Sequence, residues 1–141
     1  MGTVYADVTL KNVVDVIGVQ RGLLAEQDIR ELKISAVVDT GAMTLVISEA
    51  VQEKLGLETR GFKQATLANN AKETCKIAEP VEIHWKDRSC VCQPWVIPGS
   101  DEVLLGVIPL EDMDLMVDPC KPELIGRHGE EAIGMLYKLA G

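Results

Sequence analysis

The sequence predicts a mainly β domain with short helices. Two observations carry this. Period-two alternation of apolar and polar residues recurs along the chain, while stretches with helical spacing are few and short. Of the 141 residues, 47% are hydrophobic but only 4% aromatic, so the core must be aliphatic, built from Val, Leu and Ile. In the first strand Val4, Ala6, Val8 and Leu10 alternate with Tyr5, Asp7, Thr9 and Lys11. In the next, Leu32, Ile34, Ala36 and Val38 alternate with Lys33, Ser35, Val37 and Asp39. Its polar face turns apolar at Val37, which places the strand in the interior just before Asp39. Residues 44–47, "TLVI", read as another strand. "VEIHW" and "CVCQPWVI" read as a hairpin across "KDRS", with Pro94 marking an edge or an irregularity because proline donates no ladder bond.

Helix signals are local. "SEAVQEKLG" offers Ser48 as N-cap, Val51 and Leu55 one turn apart, and Gly56 at the position that ends helices. A second short helix is expected after Gly106, around "VIPLEDM", with Pro109 in its first turn. A third is expected in "EEAIGMLYKLA", where Ile133, Leu136, Tyr137 and Ala140 share a face. The turn-rich residues 120–129 separate residues 1–119, read as the main domain, from a C-terminal extension over 120–141.

A net charge of −8 argues against nucleic acid as a partner, since phosphates would be repelled. No apolar run approaches the roughly 18 residues a membrane span needs, and "MGTVYADVTL" lacks the basic-then-apolar order of a signal peptide. A cytoplasmic location with reduced thiols is the expectation for Cys75, Cys90, Cys92 and Cys120. Cys90 and Cys92 share a strand face and form half of a conceivable zinc site with His84 or Cys120, but the spacing matches no usual zinc pattern. No metal and no cofactor is expected.

The sharpest feature is "VVDTGAMTLVIS", residues 37–48. Asp-Thr-Gly is a common turn composition, and chance alone places the tripeptide in about 2–3% of chains this long. Its context decides against a surface turn: apolar runs flank it on both sides. A lone ionised carboxylate between such flanks is poorly solvated. Two placed together share one proton, the neutral one serving as general acid and the charged one as general base for a water. Aspartic proteases are the standard instance of that sharing.

The segment resembles the active-site region of retropepsin-like aspartic proteases, in which an apolar strand runs into Asp-Thr-Gly-Ala. The family's second signature, two apolar residues and a glycine followed by a short helix, is matched by Leu104-Leu105-Gly106 in "VLLGVIPLEDMDL". "ATLANNAKETCKI" falls where the family has its flap hairpin, and Asn69-Asn70 suits a tip because Asn tolerates positive φ. The likeness spans roughly residues 4–119 and is nearest the cellular, non-viral branch. It implies a retropepsin-like closed β-barrel, one lobe per chain, and an aspartic endopeptidase. Asp39 would be the catalytic aspartate. Thr40 would hydrogen-bond across a dimer, Gly41 would let the loop approach substrate, Ala42 would line the site, and Gly106 would pack beneath the loop. Leu67, Ala68, Asn69 and Asn70 would belong to a flap closing over a peptide.

One Asp-Thr-Gly occurs in the chain; Asp118, in "VDPC", reads as a turn residue. A carboxylate pair therefore requires a second copy, with a two-fold axis passing between two Asp39 residues. The partners implied are a homodimer mate and a peptide or protein substrate, with neither nucleic acid nor membrane. A rival reading keeps the fold and drops the chemistry, leaving a silent dimerisation or peptide-binding module. A Ser/His or Cys/His hydrolase is disfavoured: no Gly-x-Ser-x-Gly elbow is present, and His84 and His128 read as surface residues.

Overall fold

The computed structural model describes residues 2–134. Strand β1 (Tyr5–Asn12) buries Ala6, Val8, Leu10 and Asn12 and exposes or half-exposes the residues between them, as its alternation requires. It runs into helix α1 (Val13–Gln20), and a single 3-10 turn (Glu26–Asp28) leads to β2 (Glu31–Val38). There follow β3 (Val46–Ile47), α2 (Glu49–Lys54), the long hairpin β4 (Thr59–Thr66) and β5 (Lys72–Ala78), then β6 (Val81–Trp85) and β7 (Arg88–Cys92). The chain continues through β8 (Trp95–Val96), β9 (Leu104–Leu105), α3 (Val107–Asp112), β10 (Leu115–Val117) and β11 (Leu124–Gly126).

Nine strands form one curled sheet in the order β4-β5-β8-β3-β9-β2-β1-β6-β7, and β10 pairs with β11 apart from it. The order is linear. β4 and β7 are its two ends, and no pairing among the described residues joins them into the closed barrel expected from the sequence. No helix among the described residues is long and apolar enough to cross a membrane.

The anticipated hairpin at 81–97 is shorter than expected. β6 and β7 pair from Val81↔Cys92 to Trp85↔Arg88, and the chain then leaves the ladder at Gln93-Pro94. Trp95 and Val96 join different neighbours, pairing with β3 and β5. Pro94 thus ends an edge strand, where the missing donor costs nothing.

Residues 13–20 show how weak a guide apolar composition can be. The one buried residue of α1 is Asp15, while Val14 and Ile17 are exposed. The carboxylate faces inward because Arg30 holds it through Nε at 2.8 Å and Nη2 at 2.9 Å, and the Arg30 amide donates to it at 3.0 Å. Asn12, fully buried, caps the helix by accepting from the Asp15 amide and donates its own amide to Leu55 O. One side chain therefore ties the end of β1 to α1 and α2.

Residues 120–134 are held to the preceding chain by two buried polar residues. Arg88 donates to Met113 O, Asp114 O and Gly129 O at 3.0, 2.7 and 2.6 Å. Asp114 accepts from His128 Nδ1 at 2.7 Å and from the Ile133 amide at 3.0 Å. β11 lies within residues 120–129, so part of this turn-rich stretch is a strand paired with β10. The helix anticipated over "EEAIGMLYKLA" falls mostly outside the described residues; Glu130–Gly134 are irregular.

Both acids carry a pH consequence. The hydrogen bond from Arg30 holds the Asp15 carboxyl below its ordinary value, and that from His128 does the same for Asp114. A depressed folded-state value contributes stability above the unfolded-state value of about 3.9, and that contribution is lost as pH falls through the folded value. The thermal midpoint is therefore expected to drop as pH is lowered through about 4. Asp114→Asn should start less stable near neutrality and lose less on acidification. A wild-type and variant pair declining in parallel would exclude this contribution.

Candidate active site

The site is assembled by a crossing of two chain segments. β2 and β9 run parallel, with Val37↔Leu104 and Val38↔Leu105 in register, and β3 lies antiparallel on the other side of β9 with Val46↔Leu104. Residues 39–45 must therefore loop around the end of β9. Hydrogen bonds fix that loop at both ends. Asp39 N donates to Leu105 O at 3.0 Å, Val107 N to Ala42 O at 3.0 Å, and Ile108 N to Met43 O at 2.9 Å. Beneath it Leu45, Ile47 and Leu105 are fully buried, each such side chain contributing about 1.5–3 kcal/mol of apolar burial.

Gly106 is where the two segments touch. A Cβ built there would meet Thr44 O, would lie 2.5 Å from Ala42 O and would lie 2.8 Å from Thr44 N. These are main-chain atoms, so a side chain has nowhere to go. The φ of Gly106 is −92°, an ordinary value, so the requirement is for space and not for backbone freedom.

Within the loop, Asp39 Oδ1 accepts from Gly41 N at 2.8 Å, and Ala42 N donates to Asp39 O at 3.1 Å. The second carboxylate oxygen has no hydrogen-bond partner among the described residues. At Gly41 the space is less strict: a Cβ would sit 3.1 Å from Asp39 Oδ1, a side-chain oxygen that need give only a few tenths of an ångström. Asp39 is half-buried, not interior as the apolar flanks suggest, because β2 ends at Val38 and the loop emerges at the surface. Thr40 and Gly41 are exposed, Ala42 is half-buried, and Met43, despite its apolar neighbours, is 56% exposed.

Across from the loop stands the β4–β5 hairpin. It pairs from Gly61↔Ile77 to Thr66↔Lys72, and its tip is closed by Leu67 N to Ala71 O at 2.8 Å and Asn70 N to Leu67 O at 2.9 Å. Asn70 has φ +65°, the left-handed conformation for which asparagine is suited, and the Asn69 side chain accepts from Ala71 N. Loop and hairpin enclose a groove of about 570 Å³ lined at one side by Asp39, Gly41 and Ala42 and at the other by Gln64–Ala68. Of the expected site residues, Asp39, Gly41, Ala42, Leu67 and Ala68 meet in this groove; Thr40, Asn69, Asn70 and Gly106 do not line it. A model of the aspartyl protease family matches residues 25–107, more than half of the chain, with the Asp39 loop, β2, β3 and β9 inside the match.

The chain belongs to the aspartyl protease family. No curated protein matches its sequence. Among solved structures it is similar to the retroviral protease-like domain of Ddi1 from Leishmania major, with 14% identity and a TM-score of 0.52 over 85% of this chain and 84% of that one. At that identity the likeness speaks to the fold alone. A weaker likeness, with 13% identity and a TM-score of 0.46 over 86% of this chain and 96% of the other, is to Lpg0085 (DUF785), a protein of unknown function from Legionella pneumophila subsp. pneumophila str. Philadelphia 1.

The retropepsin-like groove has a floor that the sequence left unassigned. Trp95, Val46 and Leu104 are in register on β8, β3 and β9, and registered residues point to one face, so they form an apolar row leading away from the Asp39 loop. Met43, Thr44, Gln64 and Ile97 complete the lining. The short strands that carry this row give almost no periodic signal.

The remaining chemistry-bearing residues lie elsewhere. Burial pushes the Cys90 thiol up to about 12 and the Cys92 thiol up to about 11, which makes both poor nucleophiles. His84 pairs with Glu82 Oε1 at 2.6 Å and His128 with Asp114, neither beside a serine or thiol of the groove. Asp118 caps a turn, accepting from Cys120 N at 2.7 Å.

Proposed function

We propose that the protein is an aspartic endopeptidase that works as a homodimer, with two Asp39 carboxylates meeting on a two-fold axis. The observation that carries this reading is the single Asp39 carboxylate, half-buried and lining the groove between the Asp-Thr-Gly loop and the β4–β5 hairpin. One oxygen is oriented by Gly41 N, so the carboxylate is held in place before any ligand arrives. Each chain supplies one such loop, and the acid–base division of labour needs two carboxylates. Thr40, exposed beside Asp39 and with its hydroxyl unpaired among the described residues, is suited to hold the two loops together.

In the reaction, the ionised Asp39 of the pair takes a proton from a water as its oxygen attacks the scissile carbonyl carbon. The protonated Asp39 of the other chain gives its proton to the carbonyl oxygen, which yields a neutral tetrahedral diol. The first aspartate, now protonated, passes its proton to the amide nitrogen as the C–N bond breaks. The second takes back the hydroxyl proton as the carboxyl product forms. One water is consumed and the pair returns to sharing a single proton. The substrate lies extended beside β4, a sheet edge whose main-chain groups are free to pair, and the β4–β5 hairpin acts as the flap.

Because the site is split between chains, specific activity is expected to fall on dilution as dimers dissociate. Peptide hydrolysis per mole of chain, followed across a range of enzyme concentrations spanning the dimer–monomer transition seen by sedimentation, measures this. Activity per mole that stays constant through the transition would reject the two-chain site.

A further inference from the structure

The flap hairpin is the basic element of an acidic chain. Between Thr59 and Ala78 it carries Arg60, Lys63, Lys72 and Lys76 against Glu73, a balance of +3 where the whole chain has −8. Lys76 is paired with Glu49 at 3.1 Å. Arg60, Lys63 and Lys72 are exposed and form no ion pair among the described residues. Lys63 has the placement that matters most. Two residues from Ala65 on the same strand face, it shares the side of β4 from which Ala65 enters the groove, and its Nζ lies 5.9 Å from the centroid of the Trp95 ring in the groove wall. Lys72, registered with Thr66, lies on the opposite face of the hairpin from Lys63 and Ala65. Within the lining itself, Asp39 is the one charged side chain.

The registered row sets distances. Neighbouring strands lie ~4.8 Å apart, so Trp95 stands ~10 Å from Leu104 across β3, while same-side residues of an extended peptide repeat every ~6.6 Å. A peptide side chain beside Leu104, near Asp39, meets an apolar wall. A same-side residue one or two repeats further on meets the Trp95 ring with the Lys63 ammonium above it.

We infer that the substrate is an acidic-flanked peptide: apolar at the cut, with Asp or Glu at an outer position whose carboxylate pairs with Lys63 while its methylenes lie on Trp95. This rests on the endopeptidase reading, so the test has an arm that does not require turnover.

Two matched peptides with the same apolar centre, one flanked by Glu and one by Gln, are offered to the wild-type chain and to Lys63→Gln. The Glu peptide is expected to be hydrolysed with a kcat/KM about three- to fivefold above the Gln peptide, the scale of one exposed ion pair. That ratio should fall towards one in Lys63→Gln, and also in about 1 M salt, where exposed charges are screened. In parallel, fluorescence anisotropy of the same labelled peptides on Asp39→Asn should show the Glu peptide bound more tightly by a similar factor. If neither peptide is cut, the endopeptidase reading fails, yet the binding ratio still decides this inference. Equal binding of the two peptides, or a Glu preference undiminished in Lys63→Gln, would overturn it.

Discussion

Asp39→Asn is expected to leave the fold intact and to remove peptide hydrolysis. The substitution keeps the shape of the side chain, and its amide oxygen can still accept from Gly41 N, the contact that orients Asp39 at 2.8 Å. What disappears is the ability to take and return protons. General acid–base catalysis contributes about 10²–10⁴-fold, and in a symmetric dimer the change strikes both partners of the pair, so a loss of at least ~10³-fold is expected. The thermal midpoint should move little, because Asp39 is half-buried at the end of β2 and outside the core. Mixing wild-type and Asn chains sharpens the measurement. If each site needs one carboxylate from each chain, hybrid dimers are inactive, and activity falls with the square of the wild-type fraction. Cleavage by Asp39→Asn at the wild-type rate would remove Asp39 from the mechanism.

The sequence disclosed most where one residue type had one physical use. The alternation in β1, the Ser48 cap with its 3.1 Å bond to Val51 N, and the stop of α2 at Gly56 with φ +62° follow from local chemistry and were legible. So was the hairpin tip, because Asn70 with φ +65° belongs to the small set of residues that accept that conformation. The candidate site was legible through two short motifs, and through them as a likeness to a known family. The structure supplies the physical reason for one of those motif residues: Gly106 is glycine because Thr44 and Ala42 occupy the space where a Cβ would be.

What stayed hidden was decided by tertiary partners. Helix α1 turns its single acid inward because Arg30, fifteen positions away, is there to receive it, and Val14 and Ile17 are exposed against the usual pattern. The depth of Asp39 was overestimated because apolar flanks report the strands on either side, not the loop that joins them. The groove floor lies on β3, β8 and β9, strands of two residues each, too short to show any period. Arg88 reads as a turn residue, but three carbonyls from distant segments make it a buried anchor.

Gly106→Ala is expected to damage both stability and catalysis, and the reason is geometric. The added methyl group must enter space bounded by the main chain of Ala42 and Thr44, including Ala42 O at 2.5 Å. A flexible side chain could rotate away, but here the backbone itself must shift. Overpacking of this kind costs about 3 kcal/mol, which for a domain of this size is a fall of ~10 °C in the thermal midpoint. The shift that relieves the clash also stretches the bonds from Val107 N to Ala42 O and from Ile108 N to Met43 O, the pins that hold the Asp39 loop to α3. A displacement of about 1 Å in a catalytic group can cost 10²-fold in rate, so kcat should fall by about that factor in the chains that remain folded. Gly61→Ala is the matching control, since a Cβ at Gly61 meets nothing within 4 Å and its φ lies outside the left-handed region. Calorimetry of both variants, with turnover measured below their melting temperatures, separates the two effects. If Gly106→Ala melts with the wild type, the loop is not pinned where the backbone distances place it. If it melts early but retains full kcat at low temperature, the pinning serves the fold alone and Asp39 is positioned by something else.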